Sequence, residues 1–145
     1  MSYTLQAIVA DKPGELQPKV GKFVPRPQGK ILVPLTASLR NQYSIPELPF
    51  EERDVDAIEN LIRNTKELID VLGLKGKVAY LEAMFFGGVG YQAALVWDNG
   101  EVLMKPLNEQ HAINAALKVL GIEKGESSDE FSALALGEHR NINQW

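Results

Sequence analysis

The chain has 145 residues, 45% of them hydrophobic and 23% charged, with a formal net charge of −4 and no cysteine. These values fit a globular domain with an ordinary core and exclude disulfides, thiolate metal sites and a cysteine nucleophile. The acidic balance argues against nucleic acid as a partner, because such proteins carry a basic face that displaces phosphate counterions. The one basic cluster, Lys19, Lys22, Arg26 and Lys30, is thin and interrupted by prolines.

No apolar run reaches the ~18 residues of a membrane span, and the start, MSYTLQAIVADKPGE, lacks the basic and apolar regions of a secretory leader. The expectation is therefore a cytoplasmic protein with no membrane partner.

In chain order, Ser2 to Ala10 alternates. Tyr3, Leu5, Ala7 and Val9 fall on one side and Thr4, Gln6 and Ile8 on the other, which is the period of a strand. Lys12-Pro13-Gly14-Glu15 reads as a turn. Seven of the eight prolines precede residue 50. Each removes a donor and fixes φ, so residues 11–50 read as a proline-rich extended arm, with 11–29 and 40–50 non-helical. Within it, Lys30 to Thr36 reads as a strand. Pro34 inside that strand argues for an edge or a bulge, and such an edge could pair with a second copy of the chain.

From Asp54 to Leu72 the pattern changes. Val55, Ile58, Ile62, Thr65, Ile69 and Leu72 recur every three or four residues, with Leu61 and Leu68 beside them, as on a helix with a broad apolar stripe. Glu51, Glu52, Asp54 and Asp56 suit its positive N-terminal end, and Gly73 supplies a left-handed stop. Lys77 to Phe86 and Tyr91 to Trp97 are apolar on both faces, as central strands are. Asp98-Asn99-Gly100-Glu101 is a hairpin turn signal that returns the chain along Glu101 to Lys105. The implied register places Trp97 opposite Val102 and Leu95 opposite Met104. Asn108 is expected to cap a helix over 109–120 that stops at Gly121. Ser128 is expected to cap a short helix that Gly137 ends, leaving GEHRNINQW as a tail.

Strands and helices do not alternate one by one, so the sequence predicts an α+β domain over 1–145. About five mostly antiparallel strands are expected, with two helices packed on one face and a short C-terminal helix.

Gly88, Gly90 and Ala93 match G-x-G-x-x-A, the letters of a dinucleotide loop. That loop needs a helix whose N-terminus faces the pyrophosphate, whereas here Leu95-Val96-Trp97 and a turn follow. The segment Gly87 to Gly90 reads instead as a connection between strands. Its glycines imply positive φ or close approach by another backbone, and no cofactor is expected.

Glu82 sits mid-strand in YLEAMFF. On a covered face it could act as a general base, and the same position suits a cross-strand pair. With His111 or His139 it forms an alternative catalytic reading, a small hydrolase or ligand-binding domain. His111 falls in the first helical turn, where positive charge is disfavoured, and His139 lies in a polar stretch. Two distant histidines make a poor metal site, and no metal is expected. No serine lies in G-x-S-x-G.

The segments FFGGVGYQAALVWDNG, INAALKVLGI and DEFSALALGEHR, between Phe85 and Arg140, resemble small uncharacterised bacterial proteins, some of them immunity proteins that neutralise toxins. The resemblance implies a protein whose task is to bind another protein, and it carries over no functional residue. The leading expectation is a non-enzymatic domain that occludes a protein partner, a toxin among the candidates. Its contacts would be Gly87, Gly88, Gly90, Tyr91, Trp97 and Glu101, together with the acidic segment Glu126 to Glu130.

Overall fold

The computed structural model describes residues 2–14, 17–46, 54–87 and 89–145. Glu15, Glu51, Glu52 and Gly88, named above, lie outside the described residues. The elements are β1 (Ser2–Asp11), β2 (Val24–Arg26), β3 (Lys30–Pro34), α1 (Ala37–Tyr43), α2 (Val55–Leu72), β4 (Lys77–Phe86), β5 (Val89–Asp98), β6 (Glu101–Asn108), α3 (Ala112–Val119) and α4 (Glu130–Ala133), with a 3-10 turn at Ile142–Gln144. The strands form one sheet in the order β2-β3-β1-β4-β5-β6, and every neighbouring pair is antiparallel. The fold is α+β, with one strand more than the sequence predicts.

The helices do not share one face. Side chains alternate across the sheet and feed two cores. Leu5, Ala7, Val9, Ala79, Leu81, Ala94 and Val96 pack with Ala112, Ile113, Ala116 and Leu117 of α3 and with Leu134, Leu136 and Trp145. Ile8, Ala10, Val78, Tyr80, Leu95 and Trp97 pack with Leu39 of α1 and Leu61, Leu68, Ile69 and Leu72 of α2. The near-continuous apolar runs of β1, β4 and β5 are the signature of this double coverage.

The proline-rich segment is not an arm. Thr36 caps α1 by accepting from Leu39 N at 3.4 Å, and Ser44 ends it in the left-handed region. Pro34 and Pro46 bracket this helix rather than interrupt it, and Leu39 and Ile45 are buried. Proline spacing therefore misplaces residues 40–43, which are helical. β3 is not an edge either, because β1 and β2 flank it. The self-pairing expected along Lys30 to Thr36 therefore does not find Lys30 to Leu32 free, because β2 already pairs them. Leu35 N donates to Gln6 O at 2.8 Å, so by alternation Pro34 turns its nitrogen away from β1. It points beyond Leu32, the last residue that β2 pairs, and no ladder bond is lost.

The outer strands are β2 and β6. β2 has three residues and contains Pro25. β6 contains Pro106 and shifts register twice against β5. Trp97 pairs with Val102 as expected, but Met104 pairs with Val96, not Leu95, because of the first shift. Asn99 and Gly100 both have positive φ, at 50° and 91°, as a type I′ turn requires.

Three further boundaries differ. Asn108 remains in β6 and caps nothing; α3 starts at Ala112, with His111 at its N-cap making no side-chain capping bond. The sheet supplies a substitute, since Gln92 Oε1 accepts from Ile113 N at 2.9 Å. Asp129, not Ser128, caps α4, accepting from Ser132 N at 2.8 Å. The left-handed residue after α4 is Ala135, not Gly137.

The final segment is docked and is not a loose tail. Thr4 N donates to Arg140 O at 2.9 Å and Trp145 is buried. Arg26 lies 5.0 Å from the Trp145 ring centre and donates to Ala135 O and Glu138 Oε2 at 3.2 and 2.6 Å. The hydrogen bond and charge of Arg26 hold the Glu138 carboxyl below its ordinary value of 4.5.

β4 and β5 pair up to Phe86 opposite Val89. Gly87 turns with φ of 59°. Gly90 has a different reason to be glycine. A Cβ there would stand 1.9 Å from the Met84 carbonyl oxygen and 2.6 Å from Phe85 Cα, so the crossing backbone leaves no room for a side chain. β5 begins at Val89 and runs as a strand through Tyr91, so no helix begins there; the connection is shorter than the expected Gly87 to Gly90, because Val89 and Gly90 already pair with Phe86 and Phe85.

Gly90→Ala is expected to destabilise the fold by about 2–4 kcal/mol in chemical denaturation. Gly14→Ala, where nothing lies within 4 Å, is expected to change stability by less than about 0.5 kcal/mol. For the docked C-terminal segment, a carboxyl whose value is depressed in the folded state contributes stability above its unfolded value and loses it as pH falls through the folded value. The Trp145 indole N–H NMR signal is therefore expected to hold its folded shift at neutral pH and to move only below pH 4.5. In Arg26→Ala it is expected to be displaced at all pH values.

Candidate functional site

The expected contact residues do not form one patch. Gly87, Gly90 and Tyr91 lie where β4 meets β5, and Glu101 follows the opposite turn of β5. A strand of 10 residues rising about 3.3 Å each separates these ends by roughly 30 Å. Trp97 is only 1% exposed and belongs to the core under α2, because it alternates in phase with Ala93 and Leu95. It is not a surface contact. Glu130 of the acidic segment is also buried.

At the Gly87 end the surface is apolar. Phe86 is 76% exposed and Met84 39%, and Met84 pairs with half-buried Tyr91. The doubly apolar pattern of YLEAMFF suggests a core role for Phe86. Its place as the last residue of β4, immediately before the glycines, is the signal that it projects.

Glu82 lies on the α2 side of the sheet, fully buried. Tyr80 Oη donates to its Oε1 at 2.5 Å and Tyr91 Oη to its Oε2 at 2.7 Å. Gln6, directly opposite Glu82 in the register, donates from Nε2 to Tyr80 Oη at 2.7 Å and to Pro46 O at 3.0 Å. The carboxylate thus receives hydroxyl donors from its own strand and from β5, and the chain of bonds reaches β1 and the residue after Ile45. Such a set locks side-chain positions in a buried sheet face.

Neither histidine reaches this network. His111 is exposed at the start of α3, on the opposite face of the sheet. His139 packs edge-on against Trp145 with ring centres 4.7 Å apart, 3.9 Å from Glu138. The structure does not bring together Glu82, His111 and His139. Among the described residues, no group of three His, Cys, Asp or Glu side chains could hold a metal ion, and no helix is long and apolar enough to cross a membrane.

A cavity of about 360 Å³ opens on the α3 face, lined by Tyr3, Phe85, Gln92, Asn114, Asp129, Phe131 and Arg140 among others. Its walls are fixed locally. The Tyr3 and Phe131 rings meet edge to face at 5.7 Å, and Tyr3 Oη donates to Leu136 O at 2.7 Å. Burial pushes the Tyr3 hydroxyl well above its ordinary range. Asn114 joins α3 to α4, accepting from Phe131 N at 2.9 Å and donating to Asp129 Oδ2 at 3.4 Å. Burial alone would raise the Asp129 carboxyl. Hydrogen bonds from the Ser132 backbone and side chain and from Asn114, with the charge of Lys124, outweigh it and hold the group below its ordinary value. Sequence reasoning passes over this cavity, since its residues come from six separate segments and form no motif.

Compared with family models, curated proteins and solved structures, the chain finds no match.

Tyr80→Phe removes a buried donor to Glu82 and an acceptor for Gln6, and is expected to cost about 1–3 kcal/mol. Tyr91→Phe is expected to cost less, its hydroxyl being only partly buried. The double variant is expected to deviate from additivity by at least about 0.5 kcal/mol, because both hydroxyls serve one carboxylate. Chemical denaturation of the three variants checks this.

Proposed function

We propose that the chain is a non-enzymatic binding domain whose partner is another protein, engaged at the projecting end of β4 and β5. The observation that carries the reading is Phe86, a large aromatic left 76% exposed with Met84 and Tyr91 beside it. Exposed aromatic anchors dominate binding energy at protein interfaces, and a turn built on glycine leaves them accessible. The separation of Glu82 from both histidines supports a binding role over catalysis.

A finer reading follows from charge. The chain carries a net charge of −4, which speeds encounter with a basic partner. A basic toxin enzyme, neutralised by occlusion in the cytoplasm of a bacterium, fits that charge and the resemblance noted in the sequence.

The test is comparative capture. Tagged wild type, Phe86→Asp and the exposed-site control Lys118→Ala are each incubated with lysate of the source cell, and bound proteins are identified. A partner held by wild type and the control, and reduced at least about tenfold by Phe86→Asp at unchanged melting temperature, supports the reading. Equal capture by all three overturns it.

A further inference from the structure

The cavity on the α3 face carries two opposite charges that are not used on each other. Arg140 and Asp129 both line it, yet no ion pair within 4 Å joins them. The guanidinium of Arg140 makes no hydrogen bond or ion pair with a described residue. Its backbone is nonetheless anchored, the N–H to Gln144 Oε1 at 2.9 Å and the carbonyl from Thr4 N at 2.9 Å. The residue is thus fixed at the rim of the cavity by its backbone, and its exposed side chain keeps its donors available. Asp129 accepts from Ser132 N on Oδ1 at 2.8 Å and from the Ser132 side chain, while Oδ2 receives the long 3.4 Å contact from Asn114. One carboxylate oxygen keeps acceptor capacity.

Beside the two charged groups the lining includes the aromatic residues Tyr3, Phe85 and Phe131. Because the Tyr3 hydroxyl is committed to Leu136 O, Tyr3 presents its ring. Gln92 has its oxygen committed to Ile113 N, and its amide N–H groups have no partner among the described residues. The volume, about 360 Å³, lies in the range of small-ligand sites, which combine apolar walls with a few convergent polar groups.

We propose that this cavity binds a free α-amino acid with an aromatic side chain. Arg140, with the Gln92 amide, takes the carboxylate; Asp129 takes the ammonium; Tyr3, Phe85 and Phe131 enclose the ring. A simple anion would meet the Asp129 charge unfavourably and a simple cation the Arg140 charge, whereas a zwitterion satisfies both at once. The site lies on the opposite face of the sheet from Met84, so it is separate from the surface proposed for the protein partner.

Isothermal titration with L-phenylalanine tests this, alongside 3-phenylpropanoate, phenethylamine and L-alanine, which lack in turn the ammonium, the carboxylate and the ring. Saturable binding of L-phenylalanine with a dissociation constant below about 1 mM is expected. Each truncated ligand, and each of Arg140→Gln and Asp129→Asn, is expected to weaken it by about tenfold or more. Asp129→Asn retains a capping oxygen for α4, and melting temperatures verify that both variants stay folded. No saturation up to about 10 mM overturns the proposal. So does 3-phenylpropanoate or phenethylamine binding as tightly as phenylalanine, or an unaltered affinity in either variant.

Discussion

A sheet covered on both faces sets the terms for everything else in this molecule. Once α2 packs against one side of β1, β4 and β5 and α3 against the other, polar side chains in the middle of these strands, such as Gln6 and Glu82, are cut off from water. Each must find its partners inside the protein. The Gln6–Tyr80–Glu82–Tyr91 chain answers that constraint in large part on one face, leaving Gln6 Oε1 and Trp97 Nε1 without a partner among the described residues. The Gln92–Ile113 bond answers it on the other while starting a helix that lacks a capping side chain. Polar groups in the sheet therefore tie layers together and fix register.

What could be read from the residues depended on whether the signal was local. The stripe of α2 and the Asn99-Gly100 turn are properties of contiguous residues, and both stand in the structure at their expected places. α1 was hidden because its flanking prolines resemble interruption when they are in fact boundaries. The side of the sheet that each helix covers was not legible, since a strand apolar in both phases accepts a helix on either face. The docking of the last residues depends on Arg26, far away in sequence, stacking on Trp145. The register of β6 moved because bulges are invisible to alternation.

The candidate sites divide along the same line. Gly90 and Tyr91 were recognisable from the glycine cluster, but Trp97 shares their strand and points into the core. Aromatic content marks importance to packing and to binding alike, and only position relative to the covering helix separates the two. Phe85 and Phe86 illustrate it. One lines the cavity under α3 while its neighbour, the last residue of β4, projects into solvent from the opposite face.

The two border strands have a consequence for colloidal behaviour. Each includes an imino acid, Pro25 in β2 and Pro106 in β6, and β6 also changes step twice. A ribbon that grows by adding strands needs an even row of amide donors and acceptors at its rim. These rims offer a short one and a broken one, so the sheet terminates itself. That limits strand-by-strand growth at the margin where Val102 and Leu103 leave oily side chains exposed.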